Sequence, residues 1–285
     1  MSPAGGRVPG VAVIALSSLP FGLMAVLARS LTDKVPSTQL VAVRFAIGLL
    51  AVGLLFAAQR RRPDVRRWRL LGVRGFLHHI GVGPATMLNY LSPVYAAVFA
   101  AVLLNERPGR WLYLGLGLAS LGAVLVTIGT GAFNQPLRPS LGGLAALASG
   151  ILAGASMTGV HALRKDTDAA TVFFGFGFVI AAPLSAGAWV ALEGAVLWTV
   201  VAVGVLSFVA QMLFSWGMGF TSASRGSAMT QLTPVVTWVL SVALLREWPR
   251  PLTLAGAAFC LAGVLIGLIR SAPAAAEKGA PVIPA

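Results

Sequence analysis

The stretch ATMLNYLSPVYAAVFAAVLLNERP at residues 85–108 recurs without a gap as GSAMTQLTPVVTWVLSVALLREWP at residues 226–249. The most specific part is the block Leu-Leu-x-Glu-x-Pro, which in both copies follows a proline placed thirteen residues before the glutamate. Farther along, Gly115 recurs as Gly256 in the same register. The chain therefore contains two related halves, and an internal repeat of this kind organises the rest of the sequence.

The composition shows the environment in which these halves fold. Of 285 residues, 57% are hydrophobic and only 10% are charged, which leaves too few polar side chains to cover a water-facing surface. The apolar runs are continuous instead of alternating, which argues against a transmembrane β-barrel. The single cysteine, Cys260, lies inside an apolar run and has no intrachain disulfide partner. The sequence predicts an all-α integral membrane protein.

Apolar segments long enough to suggest membrane helices are separated by short connectors rich in Pro, Gly, Asn and charge. They lie at 9–28, 37–58, 85–104, 111–130, 141–163, 169–191, 195–218, 226–245 and 251–269.

Charge predicts one further crossing. With the N-terminus inside and ten crossings, fifteen Lys and Arg side chains fall on the cytoplasmic side and six on the outer side. With nine crossings, eleven fall on one side and ten on the other. The positive-inside rule favours ten, with both termini cytoplasmic. The only place for the extra helix is Leu70 to Ile80, about half the length required, so we expect about 12 to 18 residues of helix three to be missing between Gly75 and His78. Five helices per half make the second half an inverted repeat of the first.

These motifs carry a family resemblance. The pattern Ala85-x5-Leu91-x-Pro93-Val94 followed by Leu-Leu-x-Glu-x-Pro resembles the EamA family of the drug/metabolite transporter superfamily, and most of all its bacterial exporters of aromatic amino acids and related metabolites. The resemblance implies two five-helix repeats at 9–130 and 141–270 and a bacterial inner-membrane location. The Pro/Ala-rich composition of residues 271–285 predicts a disordered cytoplasmic tail. It also implies export by alternating access, the two halves rocking about a central cavity.

The repeated prolines mark a candidate site. Pro93 and Pro234 are predicted to kink their helices and to free the carbonyls four residues back, which membrane proteins tolerate only against protein or a wet cavity. The residues at those carbonyls are polar: Asn89, Tyr90, Thr230 and Gln231. We expect them to face a shared centre and bind the substrate, although simple interhelical hydrogen bonds are the alternative.

Other residues extend this prediction. Pro20 is expected to act as a third kink, and Gln211 must face another helix or water because an unpaired amide is costly in lipid. An apolar, aromatic pocket would favour neutral or aromatic solutes. Arg44 must find a partner or snorkel outward. The remaining predicted substrate-binding residues are Ser17, Phe21, Met24, His79, Tyr95, Ser156 and Trp216.

The absent features narrow the mechanism. All eight acidic residues fall in loops, helix ends or the tail, so the sequence predicts a facilitator without direct proton or sodium coupling. No ligand spacing suggests a metal, no phosphate-binding loop suggests ATP, and the net charge of +13 follows topology instead of indicating nucleic acid. We expect no cofactor, no enzymatic activity, and a monomer or weak homodimer. The alternatives are a carrier of a drug, nucleoside or sugar derivative, a lipid flippase, or a non-transporting membrane protein.

Overall fold

The computed structural model of the chain describes residues 10–67, 69–71, 91–129, 141–184, 189–246 and 250–269. Within these ranges the regular structure is helical and contains no β-strand. A short 3₁₀ turn at Val65–Arg67 follows the second helix. The α-helices are α1 (Gly10–Arg29), α2 (Ser37–Ala58), α3 (Ser92–Leu103), α4 (Arg110–Gly129), α5 (Leu141–Arg164), α6 (Ala169–Leu184), α7 (Gly194–Met218), α8 (Ala223–Met229), α9 (Leu232–Leu245) and α10 (Pro251–Ile269).

Helix length and composition mark the molecule as a multi-span membrane protein. Six segments of the described residues are long and apolar enough to cross a bilayer, with α8 and α9 counted together as one segment. The predicted bounds of α2 and α10 agree with the observed ones to the residue, because proline and charged residues flank both apolar runs. The predicted truncation of helix three between Gly75 and His78 lies outside the described residues.

The kink that the sequence predicts at Pro234 is observed as a break within a segment that still counts as one candidate span. α8 ends and α9 begins three residues later, so Pro234 lies in the first turn of α9. The backbone at the break makes short-range hydrogen bonds, from Thr230 N to Ser227 O (3.1 Å) and from Thr233 N to Thr230 O (3.0 Å). Proline cannot donate to the carbonyl four residues back and its ring clashes there, which explains why the helix breaks at Thr230.

Pro93 also differs from its expected interior position. The described helix α3 begins at Ser92, so Pro93 is its second residue. A proline in the first helical turn loses no intrahelical hydrogen bond, because the first N–H groups of a helix have no partner in any case. Pro20, in contrast, lies inside α1 as the sequence predicts.

The Leu-Leu-x-Glu blocks end their helices in the same way. Asn105 and Arg246 occupy the x position of the two copies, and both adopt left-handed backbone conformations, with φ of 52° and 55°. A left-handed residue just after the last helical turn is a common way to end an α-helix. The sequence repeat is therefore matched by a repeated backbone conformation.

Glycines let α4 and α10 pack backbone against backbone. A Cβ atom added to Gly122 would lie 2.5 Å from the carbonyl oxygen of Gly256, and one added to Gly263 would lie 2.5 Å from that of Gly115. In the sequence repeat, Gly115 corresponds to Gly256 and Gly122 corresponds to Gly263. Replacing each glycine by its counterpart therefore turns the contact of Gly122 with Gly256 into the contact of Gly263 with Gly115. Small residues at such positions are what allows membrane helices to approach closely.

A second pair of helix contacts obeys the same exchange. Gly22 of α1 lies against α9, where an added Cβ would be 2.8 Å from Cγ1 of Val236. Gly154 of α5 lies against α3, where an added Cβ would be 2.6 Å from Cβ of Tyr95. Because Val236 is the counterpart of Tyr95 in the repeat, α1 packs on α9 as α5 packs on α3. α2 completes this part of the bundle by packing against α6 and α7.

Candidate functional site

Glu106 of the first Leu-Leu-x-Glu block reaches across the fold to the start of α8. Its Oε1 accepts a hydrogen bond from Ala223 N (2.8 Å), and its Oε2 accepts from Ser224 N (3.2 Å) and from the Ser224 hydroxyl. A carboxylate at a helix N-terminus satisfies N–H groups that have no helical partner and is stabilised by the helix dipole. The glutamate therefore ties the first half of the chain to the second.

His161, near the end of α5, joins the same contact. Its Nδ1 lies 3.0 Å from the carbonyl oxygen of Met218, and because a carbonyl only accepts, this nitrogen carries the proton. Its Nε2 lies 3.8 Å from Oε1 of Glu106, and the two side chains are only 9% and 8% exposed. The sequence pattern marks His161 only as an ordinary interfacial residue, because both of its partners lie far from it along the chain.

Arg164, the last residue of α5, is buried beside His161. Its Nε donates to the carbonyl oxygen of Ser215 (2.9 Å), and its NH1 donates to that of Thr167. Nearby, Arg61 pairs with Asp168 at 2.8 Å and links the loop after α2 to the start of α6. We refer to the group formed by Glu106, His161, Arg164 and the start of α8 as the Glu106 end of the bundle. Polar contacts join the helices at this end.

Two buried polar atoms of α7 have no hydrogen-bond partner in the part of the chain that the structure describes. Oε1 of Gln211 and Oγ of Ser215 are buried, and neither has a hydrogen-bond partner among the described residues. Four residues separate them, which is about one helical turn, so they lie on the same face of α7. Buried polar atoms are normally satisfied, and an exception calls for a binding partner or a water.

The other glutamine that the sequence selects is hydrogen-bonded to two neighbouring helices. Gln231, only 1% exposed, donates from Nε2 to Oγ of Ser120 on α4 at 2.6 Å. Its backbone carbonyl accepts from Sγ of Cys260 on α10 at 2.9 Å. Thr230 beside it donates its hydroxyl to the carbonyl of Ser227 (2.7 Å). The break between α8 and α9 is thus held by interhelical contacts.

The remaining predicted residues are distributed over several helices. Ser17 is buried and donates to the Ile14 carbonyl of its own helix (2.6 Å), whereas Trp216 is 43% exposed and packs edge-on against Phe220. Ser156 is buried. Phe21 packs on the main core, Met24 packs between α1, α2 and α7, and Tyr95 is partly buried at the contact between α3 and α5. Three predicted residues lie outside the described ranges: His79, Asn89 and Tyr90.

At the end of the bundle away from Glu106, two hydrogen bonds join the start of α2 to the segment before α7. The Gln39 amide donates to the carbonyl oxygen of Val190 (2.8 Å) and accepts from its N–H (2.9 Å). Within the described ranges, no group of three or more His, Cys, Asp or Glu side chains is placed to hold a metal ion.

Comparison with known proteins defines the class. The profile of the EamA-like transporter family matches residues 8–128 and again residues 140–269. A polytopic helical membrane protein that carries this profile over nearly its whole length is a transport protein. The chain belongs to the EamA-like transporter family.

Relatives of known name share this family. The chain is 26% identical over 285 residues to the pseudopaline exporter CntI of Pseudomonas aeruginosa, covering 95% of this chain and 97% of the relative. It is 26% identical over 236 residues to a probable terminal-alkyne amino-acid exporter of Streptantibioticus cattleyicolor, covering 76% and 77%. A protein of known crystal structure shares the fold with a TM-score of 0.79 at 20% identity, covering 93% of this chain and 97% of that one.

Proposed function

We propose that the protein exports amino acids, neutral or aromatic, or similar small metabolites across the bacterial inner membrane by alternating access. The observation that carries the proposal is the buried polar face of α7 at Gln211 and Ser215, whose oxygens lack partners among the described residues. A transported solute with hydrogen-bond donors would supply them. Two relatives are themselves named as exporters, one of them of an amino acid.

Ten crossings in two inverted five-helix repeats are part of this proposal, with repeats at 9–130 and 141–270 and a cytoplasmic tail at 271–285. Three observations support it: the family profile matches twice, Asn105 and Arg246 share a left-handed conformation, and the glycine contacts of α4 with α10 exchange under the repeat. Such exchange is what a twofold axis between the halves produces. The Glu106 end is then cytoplasmic, because it collects Arg61 and Arg164.

Alternating access requires each end to open in turn. In this structure polar contacts join the Glu106 end, since Glu106 accepts from the start of α8 and Arg164 donates to the end of α7. Opening toward the cytoplasm would separate these groups, and opening toward the periplasm would release Gln39 from Val190. We further propose that the substrate contacts Gln211, Phe21, Met24 and the neighbouring polar groups, while Gln231 joins helices.

Transport is proposed to run downhill without direct ion coupling. The carboxylate of Glu106 is buried, but it lies beyond the last turn of α3 and not within a span. Coupled carriers generally keep a titratable group where proton and substrate compete. Imposing a proton gradient on proteoliposomes should therefore leave the direction of net exchange unchanged.

Counterflow in liposomes tests the function. Vesicles that contain the protein and are loaded with an unlabelled amino acid should take up the same amino acid in labelled form, and this uptake should saturate. Vesicles without the protein should not take it up. Lipid scrambling without amino-acid exchange would instead indicate a flippase.

Topology is tested separately by single cysteines at Asn105 and Arg246 in a Cys260→Ala background. Labelling of both from the same side of the membrane would contradict the inverted repeat.

A further inference from the structure

Arg44 places a guanidinium inside a membrane-spanning helix. It lies seven residues after the start of α2 at Ser37, which corresponds to about 10 Å along the helix and hence to a depth within the hydrocarbon region. A charged side chain at such a depth is costly unless it is paired or faces a polar cavity, and in membrane proteins it usually marks a functional site.

Arg44 is partly buried and lies beside the outward-facing stripe of α2, not within it. The stripe of α2 that faces outward contains Leu50 and Leu54, which are 65% and 62% exposed. Arg44 lies roughly a third of a turn from Leu50, at 3.6 residues per turn, in a direction between those of Ile47 and Gly48. Ile47 contacts Gly204 of α7, and Gly48 contacts Phe173 of α6. NH1 of Arg44 itself lies 3.8 Å from Sδ of Met24 on α1, so the side chain is directed toward a neighbouring helix of the bundle.

No group in the described residues neutralises this charge. NH1 of Arg44 lies 3.8 Å from Sδ of Met24, and the guanidinium carbon lies 4.8 Å from the centre of the Phe45 ring. Nε is buried and has no hydrogen-bond partner within the described ranges. No ion pair between Arg44 and a carboxylate of those ranges is present, although Arg61 and Arg67 both have one. A thioether and a ring face leave most of the guanidinium N–H groups available.

We propose that Arg44 binds the carboxylate of the transported solute, which restricts the substrate class to amino acids and metabolites with a free carboxylate. This inference rests on the proposed function. Guanidinium and carboxylate match as planar groups that form two parallel hydrogen bonds, and the bond gains strength where water is excluded. Met24, which is only partly buried, lies against the guanidinium and provides an apolar contact for an uncharged side chain.

The test compares labelled amino acids with their carboxamides. Wild-type protein in liposomes is first assayed for counterflow of labelled L-leucine, L-phenylalanine and L-tryptophan. For each compound that exchanges, uptake of the label is then measured with increasing concentrations of the unlabelled free acid or of the matching carboxamide. The free acid should compete far better than the amide. In Arg44→Gln the half-inhibitory concentration of the acid should rise roughly 10- to 100-fold, the size expected for a lost charged hydrogen bond, while that of the amide stays the same.

Controls separate recognition from folding. Arg62→Gln changes an exposed arginine after α2 and should keep the wild-type preference. Arg44→Lys keeps the positive charge but not the paired geometry, so it should fold and lose part of the preference, which provides a test even if Arg44→Gln does not accumulate. Unchanged preference for the acid in either Arg44 variant would overturn the assignment of Arg44 alone. Absence of exchange of every amino acid by the wild-type protein would overturn the proposed function, and this inference with it.

Discussion

The interface of α4 with α10 and the inner faces of α2 and α7 differ in whether their buried polar side chains have hydrogen-bond partners. In the first region the helices touch through glycine backbones, and Gln231, which contacts both of them, is bonded to Ser120 of α4 and Cys260 of α10. In the second, Gln211 and Arg44 each have a buried polar atom with no partner among the described residues. The first region is built to stay together, and the second has polar groups that an additional molecule can satisfy.

This difference suggests that one region of the bundle is structural and the other contacts the solute. Backbone contact between α4 and α10 leaves no room for a solute and fixes the two halves of the chain to one another. The helices whose polar atoms lack a partner among the described residues, α2 and α7, also have polar contacts near their ends, through Gln39 and Arg164, and these can be exchanged for water. The following substitutions test the contrast.

The largest effect is expected where backbones touch. Gly122→Leu would place a side chain 2.5 Å from the carbonyl oxygen of Gly256, and backbone atoms on a neighbouring helix cannot move aside as a flexible side chain can. We expect destabilisation above about 3 kcal/mol, seen as loss of monodisperse protein in fluorescence-detected size-exclusion chromatography. Gly117→Leu on the same helix is the control, because a Cβ atom added to Gly117 would have no atom of the described residues within 4 Å. Equal recovery of both variants would contradict close backbone packing.

The two glutamines should respond in opposite ways. Gln211→Leu removes a buried oxygen that lacks a partner in the described residues, so the unfolding temperature should hold or rise while the counterflow rate falls at least about tenfold. Gln231→Leu breaks the bond to Ser120 and should cost about 1–3 kcal/mol of stability, with normal transport per folded molecule. Normal transport by Gln211→Leu, or lost transport by well-folded Gln231→Leu, would reverse the assignment and favour the central role that the sequence suggests for Gln231.

A smaller effect is expected at the Glu106 end. Glu106→Ala leaves Ala223 N and Ser224 N without their acceptor and should lower stability by about 1–2 kcal/mol, whereas Glu106→Gln should keep part of it through the remaining carbonyl oxygen. Glu193→Ala is a matched control, because Glu193 also precedes a helix but makes no side-chain hydrogen bond to the described start of α7. Equal melting temperatures for Glu106→Ala and Glu193→Ala would show that the cap contributes nothing.

How much of this was visible in the sequence depends on the distance over which each feature is determined. Helix bounds follow from local apolar runs and their flanking residues, which is why α2 agrees at both ends. The break at Thr230 also has a local cause in Pro234, although the sequence suggested a kink within one helix. Which glutamine is paired depends on Ser120, and the contact made by Glu106 depends on the start of α8, and both partners lie more than a third of the chain away. No local pattern records such partners.

The smallest effect concerns the two helix ends that the repeat makes equivalent. Arg246 holds φ at 55°, a left-handed conformation in which a side chain with a Cβ atom is strained, while its counterpart Asn105 at 52° belongs to a residue type that tolerates it. Arg246→Asn should therefore raise stability by about 0.5 kcal/mol and Arg246→Gly by up to about 1 kcal/mol, while Asn105→Arg should lower it by a similar amount. Arg250→Asn, at a described position just before α10, controls for the loss of positive charge. Paired thermal melts of these variants in one detergent would resolve the order. If Arg246→Asn and Asn105→Arg shift the melting temperature in the same direction, the two copies of the motif do not share a backbone conformation, and the conformational support for the repeat is lost.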